Sequence, residues 1–247
     1  MVNDSATVLV IGGSRGTGLL AARLLERRGV PVRVLARNPS RAAADLGPGV
    51  EVVAGDITRP DTLPAAVDGA GRIIFTAGVR SARPAGEALV RATDYGGPVH
   101  TLAAARATGM TGRFVYMTSI GIRTPSVAGR LLNAVKGNTL VWRKRVEDEI
   151  RASGLDYAIL RAGFLANGPA GRREIAVSQG DLPLAPRYRI ARADVAEALV
   201  ESLYHPATSR VTFEVVNGRG PRRTGWVDLL DNLRPDIVTS LDDGEGT

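Results

Sequence analysis

The densest run of residues able to do chemistry is Gly12-Gly13-Ser14-Arg15-Gly16-Thr17-Gly18, directly after the apolar stretch 6–11. Glycines at these spacings permit a tight turn, let the backbone approach a pyrophosphate and allow the next helix to pack closely on the strand. The helix N-terminus then offers free N–H groups and a partial positive charge to phosphate. A structural turn needing positive φ does not explain why glycines cluster at this junction. The run therefore implies a dinucleotide site that includes Gly12, Ser14, Arg15, Gly16, Thr17 and Gly18. At the next strand end the chain reads Val34-Leu35-Ala36-Arg37-Asn38, with no carboxylate to accept ribose hydroxyls. Arg37 is placed for a 2′-phosphate, Arg15 can close on it from the turn, and a guanidinium fork suits phosphate. NADPH is expected in preference to NADH. In Gly55-Asp56-Ile57, Asp56 is expected to accept from the adenine amino group beside Ile57, although an Asp there also suits a cap. Ala77-Gly78 lies where the cofactor would pass.

The elements that must position these residues follow from apolar patterning. Runs at 6–11, 32–36, 50–54, 72–76, 113–118 and 156–160 read as strands. Leu19, Leu20, Ala22, Leu24 and Leu25 recur at helical spacing up to Gly29. Further helices are expected from near 60, at 86–109, 131–152 and 192–204, then a strand at 211–216 and a weaker helix at 224–233. Strands alternating with helices give βαβ units. The fold class is α/β, a Rossmann-type doubly wound parallel sheet flanked by helices. A single domain over 1–236 is expected, with a substrate or lid region at about 162–190 and a disordered tail at 237–247.

Composition narrows the chemistry. Aromatics are only 4% of 247 residues while hydrophobic residues reach 44%, so Val, Leu, Ile and Ala must fill the core. Cysteine is absent, which excludes disulfides, thiolate metal sites and a cysteine nucleophile. His100 and His205 are far apart, and no metal centre is expected. Residues 1–5 lead straight into a strand without a signal-peptide pattern, and no stretch approaches the ~20 apolar residues of a membrane span. A cytoplasmic protein is expected. The net charge of +7 comes from scattered arginines, with Lys only at 136 and 144. That pattern does not suggest nucleic-acid binding, whereas a positive field favours an anionic cofactor.

A longer set of residues carries a family resemblance. It comprises the glycine turn, Thr118-Ser119, the run Val141-Trp142-Arg143-Lys144-Arg145-Val146-Glu147, then Ser153-Gly154-Leu155-Asp156-Tyr157, Arg161-Ala162-Gly163-Phe164 and Ile190-Ala191-Arg192-Ala193-Asp194-Val195-Ala196. Over roughly 6–216 the chain resembles the short-chain dehydrogenase/reductase superfamily, in its atypical NAD(P)H-binding branch of flavin and quinone reductase-like proteins and NmrA-like redox sensors. The resemblance implies that Ser119, after Thr118, faces the nicotinamide, with Ala162, Gly163 and Phe164 at the same end of the cofactor. Asp194 is expected to be structural.

The superfamily's usual Tyr and Lys pair, four residues apart, aligns here with Thr139 and Arg143. Arg143 would hold the ribose, but Arg is no acid near neutral pH, and Lys144 is the fallback. Chemistry that needs no strong enzymic acid fits such a site. An NADPH-dependent reductase of a quinone-like or conjugated carbonyl small molecule is expected, with Ser119 bonding the acceptor oxygen. Residues 162–190 and the loop 120–136 would cover it. The alternative is a non-catalytic NADP(H)-binding redox sensor or regulatory protein, and the missing Tyr argues against nucleotide-sugar epimerisation. Helices 86–109 and 131–152 are where relatives often pair, so a homodimer is possible.

Overall fold

Val8, Leu9, Val10 and Ile11 are all buried, so the strand they form must be covered on both faces. In the computed structural model, which describes residues 6–79 and 84–237, this run is β1 (Thr7–Ile11). It is followed by α1 (Gly16–Arg27), β2 (Val32–Ala36), α2 (Pro39–Asp45), β3 (Val50–Ala54), a 3₁₀ turn at Pro60–Thr62, α3 (Pro64–Val67) and β4 (Ala70–Phe75). Next come α4 (Glu87–Val90), a π-helical turn at Arg91–Gly96, α5 (Gly97–Ala107), β5 (Phe114–Ser119), α6 (Val127–Val135), α7 (Thr139–Ala152) and β6 (Tyr157–Ala162). The last part supplies β7 (Phe164–Ala166), β8 (Ile175–Ser178), β9 (Arg189–Ala191), α8 (Arg192–Ser202), β10 (Val211–Asn217) and α9 (Trp226–Leu230). Residues 1–5 and the expected tail beyond Ile237 lie outside the described residues.

The eight-stranded sheet has the order β3-β2-β1-β4-β5-β6-β10-β8. Only β8 runs antiparallel to its neighbour among the described strands, and β7 and β9 form a separate parallel pair. From β1 the sheet grows to β2 and β3 on one side and to β4 on the other. The carboxyl ends of β1 and β4 therefore open a crevice at a topological switch point, where such sheets take ligands. Side chains alternate across the sheet. Val8 and Val10 pack with Ala21, Leu25, Val195 and Leu199 on one face. Leu9 and Ile11 pack with Leu63, Leu102, Val146 and Ile150 on the other. The expected Rossmann-type α/β architecture is the observed one.

Several local features depart from the pattern-based expectation. The helix expected over 131–152 is two helices, because Gly137 (φ +53°) and Asn138 (φ +59°) turn left-handed between α6 and α7. A Cβ on Gly137 would stand 2.8 Å from Glu87 backbone atoms. The helix at 86–109 changes register before Pro98, whose ring would strike the Asp94 carbonyl in a regular α-helix. The region 162–190 holds β7, β8 and β9, each too short to show a period. Helix α2 was not anticipated, although Asn38 caps it by accepting from Arg41 N–H at 3.0 Å, with Pro39 in its first turn.

Candidate active site

The β1–α1 turn is pressed against the end of β4. Thr76 donates both its N–H (2.8 Å) and its hydroxyl (3.1 Å) to the Ile11 carbonyl. At Gly12 (φ +87°) a Cβ would lie 2.7 Å from Ala77 N, and at Gly18 it would lie 2.5 Å from Thr76 Oγ1 and overlap the Gly12 carbonyl. No side chain caps α1; its N-cap Arg15 is extended and exposed. The N–H groups of the first turn are therefore left for a ligand. Ser14 is half-buried, Gly16 has φ +59°, and Thr17 carries a buried hydroxyl without a hydrogen-bond partner. The cradle and the orphaned hydroxyl both fit a pyrophosphate.

At the other side of the switch point, Arg37 projects exposed from the end of β2. Asp56 Oδ1 accepts from Thr58 N–H at 2.9 Å and Thr58 Oγ1 at 2.8 Å, so one of its oxygens does cap the following turn. Burial pushes its pKa up. The Thr58 bonds and the charges of Arg37 and Arg59 outweigh that and hold the carboxyl below its usual range. Ile57 is half-buried, and its carbonyl lies 3.1 Å from His100 Nδ1.

The opposite end of the crevice is a cavity of about 220 Å³. Its wall includes Ser119, Thr139, Arg143, Lys136, Leu184 and the Ala162-Gly163-Phe164 segment. The Ser119 hydroxyl is buried without a partner, as is that of Thr118, although Thr118 does not line the cavity. Beneath the wall lies Asp94, 2% exposed, which the π-helical turn carries inward. It accepts from Val79 N–H at 2.7 Å, Thr139 Oγ1 at 2.8 Å and Arg143 Nε at 3.3 Å. Burial works against the charge on Arg143, but Asp94 outweighs it and raises the guanidinium pKa. A Cβ on Gly78 would sit 3.2 Å from both Arg143 Nη2 and Asp94 Oδ1, so the Ala77-Gly78 segment runs directly over this pair.

The structure thus gathers Ser119, Arg143, Ala162, Gly163 and Phe164 around one cavity. It does not bring Lys144 there: Lys144 is half-exposed and paired with Asp148 at 3.0 Å, one helical step away from Arg143. Nor does a tyrosine replace the missing one. Tyr116 is buried in β5, and burial pushes its hydroxyl pKa further above neutrality. Asp94 and Lys136 escaped the sequence reading. The Gly96-Gly97-Pro98 run just after Asp94 was the available sign that this helix turn is irregular.

The segment that bears Leu184 is held from beneath. Arg161, 3% exposed, pairs with Glu147 at 2.6 Å, with Glu214 at 3.7 Å and with Asp181. Glu214 in turn accepts from Ser178 Oγ at 2.7 Å and from Leu182 N–H at 2.8 Å. The segment that carries Leu184 onto the cavity wall is therefore tied to the sheet.

A parallel sheet with a glycine cradle at its switch point and free helix N–H groups above it defines a Rossmann-type dinucleotide-binding protein. The chain belongs to the NAD(P)H-binding family, whose model matches residues 12–206. A sanguinarine reductase of Eschscholzia californica is 31% identical, the match covering 89% of this chain and 91% of that protein. An NAD(P)H azoreductase of Xenophilus azovorans is 25% identical over 92% of this chain and 69% of its own. Among solved structures, a short-chain dehydrogenase/reductase of Veillonella parvula, crystallised in complex with NADP, superposes with a TM-score of 0.68. It is 16% identical, and the match covers 87% of this chain and 96% of that one. The superfamily likeness read from the sequence holds.

Proposed function

We propose that this protein is an NADPH-dependent reductase that delivers hydride to a quinone-like or conjugated carbonyl compound. The observation that carries the reading is the partnerless buried hydroxyl of Ser119, on the wall of a cavity at the expected nicotinamide end of the crevice. Two relatives bear reductase names, which supports the reaction class and leaves the acceptor to be found. When bound, NADPH supplies the hydride, and the cofactor carries the chemistry while the protein orients it. Gly12 to Gly18 would hold the pyrophosphate, Arg37 and Arg15 the 2′-phosphate, and Asp56 with Ile57 the adenine. Ala77, Gly78 and Thr118 would line the cofactor's path. Arg143, braced by Asp94, would hold the nicotinamide ribose. Ser119 would donate to the acceptor oxygen, with Lys136 on the same wall. Ala162, Gly163, Phe164 and Leu184, from the region 162–190, would cover the acceptor. The absence of a membrane-spanning helix among the described residues suits an acceptor met in water, and a cytoplasmic site of action belongs to this reading.

A second reading, a non-catalytic NADP(H) sensor, is favoured by one observation: Thr139, at the usual tyrosine position, has its hydroxyl committed to Asp94. NADPH oxidation with a panel of quinones and conjugated carbonyls separates the two. Ser119→Ala is expected to lower kcat about 100- to 1000-fold, by analogy with loss of one oxyanion donor, with NADPH affinity unchanged. Arg37→Glu is expected to weaken NADPH at least about tenfold while leaving NADH nearly unaffected. Tight NADPH binding with no acceptor turned over would favour the sensor. Equal effects of Arg37→Glu on both cofactors would remove the basis for NADPH selectivity.

A further inference from the structure

A second cleft lies at the same carboxyl edge of the sheet, beyond the ends of β6 and β10, with a volume of about 530 Å³. Four arginines line it: Arg172, Arg173, Arg187 and Arg189. None of the four makes an ion pair with a carboxylate among the described residues. Arg187 is held by its neighbour alone, donating to Tyr188 Oη at 3.1 Å and lying 4.7 Å over that ring. The single acid on the wall, Asp194, takes its bonds on Oδ1, from Gly171 N–H at 2.8 Å and Arg222 at 3.3 Å, and burial raises its pKa, which reduces the negative charge it offers the cleft. Surface arginines ordinarily scatter or pair with acids. Here four exposed arginines, none paired with an acid among the described residues, line one concavity, a concentration of positive charge that an anion would complement. A guanidinium fork matches carboxylate or phosphate oxygens in pairs.

The position of the cleft says what that anion belongs to. Strand β7 joins the two cavities: Phe164 lines the Ser119 cavity and Ala166 lines the arginine cleft. Two residues of extended strand span only about 7 Å. A single elongated molecule can therefore lie along β7 with one end at Ser119 and the other among the arginines. The geometry points to an acceptor that carries an oxyanion group, carboxylate or phosphate, on the arm opposite its reducible end. This rests on the reductase reading for the identity of the molecule, although the anion site itself does not.

Two measurements keep those apart. The first is anion binding by calorimetry with NADP⁺ saturating, so that the cofactor's own phosphate sites are filled. Inorganic pyrophosphate and citrate are the probes, and the stronger binder tells phosphate from carboxylate. Wild type is expected to bind at least one of them. The double variant Arg172→Ala/Arg189→Ala is expected to lose about tenfold or more in affinity, with NADP⁺ binding intact as the sign of a folded protein. The second is steady-state reduction of 1,2-naphthoquinone beside its 4-sulfonate. The double variant should raise KM for the sulfonate about tenfold and leave KM for the neutral quinone and both kcat values in place. No anion binding by wild type, or equal binding by the double variant, overturns the site. Equal KM changes for the two quinones overturn its role in acceptor recognition. If neither quinone is reduced while anion binding still depends on the arginines, the cleft stands and the reductase reading loses support.

Discussion

A buried hydroxyl without a partner costs about 1–3 kcal/mol, and Thr17 and Ser119 carry such groups at two ends of one crevice. Asp94 shows the opposite condition, with bonds from Val79, Thr139 and Arg143 converging on its two oxygens. Asp94→Asn turns an amide toward groups that now donate and leaves Arg143 without its counter-charge. Breaking a buried pair costs about 3–5 kcal/mol, and partial exposure of the arginine reduces that to about 2 kcal/mol. For a chain of this size the expected fall in Tm is about 4–8 °C. The KM for NADPH should rise with it, because Arg143 is no longer held. Thermal unfolding and cofactor titration check both, and an unchanged Tm would show that the pair stabilises nothing. Little of this was legible. Arg143 drew notice through its alignment with a lysine, but Asp94 and Thr139 stand 45 residues apart and no local pattern joins them. Lys144 was legible and misleading, because adjacent residues on a helix face different directions.

Elements with a strong period could be read from the chain, and those without one could not. The strands β1 to β6 and β10 are runs rich in aliphatic, aromatic or β-branched residues, long enough to be recognised. The glycine turn between β1 and α1 announced itself by spacing. The strands of the 162–190 region are three or four residues long, and what decides them is pairing with residues elsewhere. The break between α6 and α7 rests on an Asn in a left-handed conformation, which sequence alone rarely betrays. Gly18→Ala tests the tightest element junction. Its new Cβ meets the Gly12 carbonyl, part of the turn's backbone, and Thr76 Oγ1, which is bonded to the Ile11 carbonyl, so α1 must shift away from β4. We expect a loss of about 1–3 kcal/mol in stability and a larger proportional loss of dinucleotide binding. A fully folded variant that binds NADPH as wild type does would mean that the cradle is looser than its geometry indicates.

At the scale of the molecule, the net charge of +7 acts on any anionic ligand before contact. Screening length falls from roughly 30 Å at 0.01 M salt to roughly 8 Å at 0.15 M. Across that range KM should rise more for NADPH than for NADH, with kcat flat, as steady-state kinetics in a salt series would show. A salt-independent KM ratio would argue that Arg37 and the wider field contribute nothing to cofactor choice. The sheet order has a consequence of another kind. Strand β10 is inserted between β6 and β8, although it is made after both. A chain growing from the ribosome can complete the half made of β1 to β5 once α8, which covers Val8 and Val10, has emerged. It cannot seat β8 or brace Leu182 until Glu214 arrives. The segment bearing Leu184 is thus the last part to be completed, and the glycine cradle at the switch point is in place before the wall that closes the Ser119 cavity.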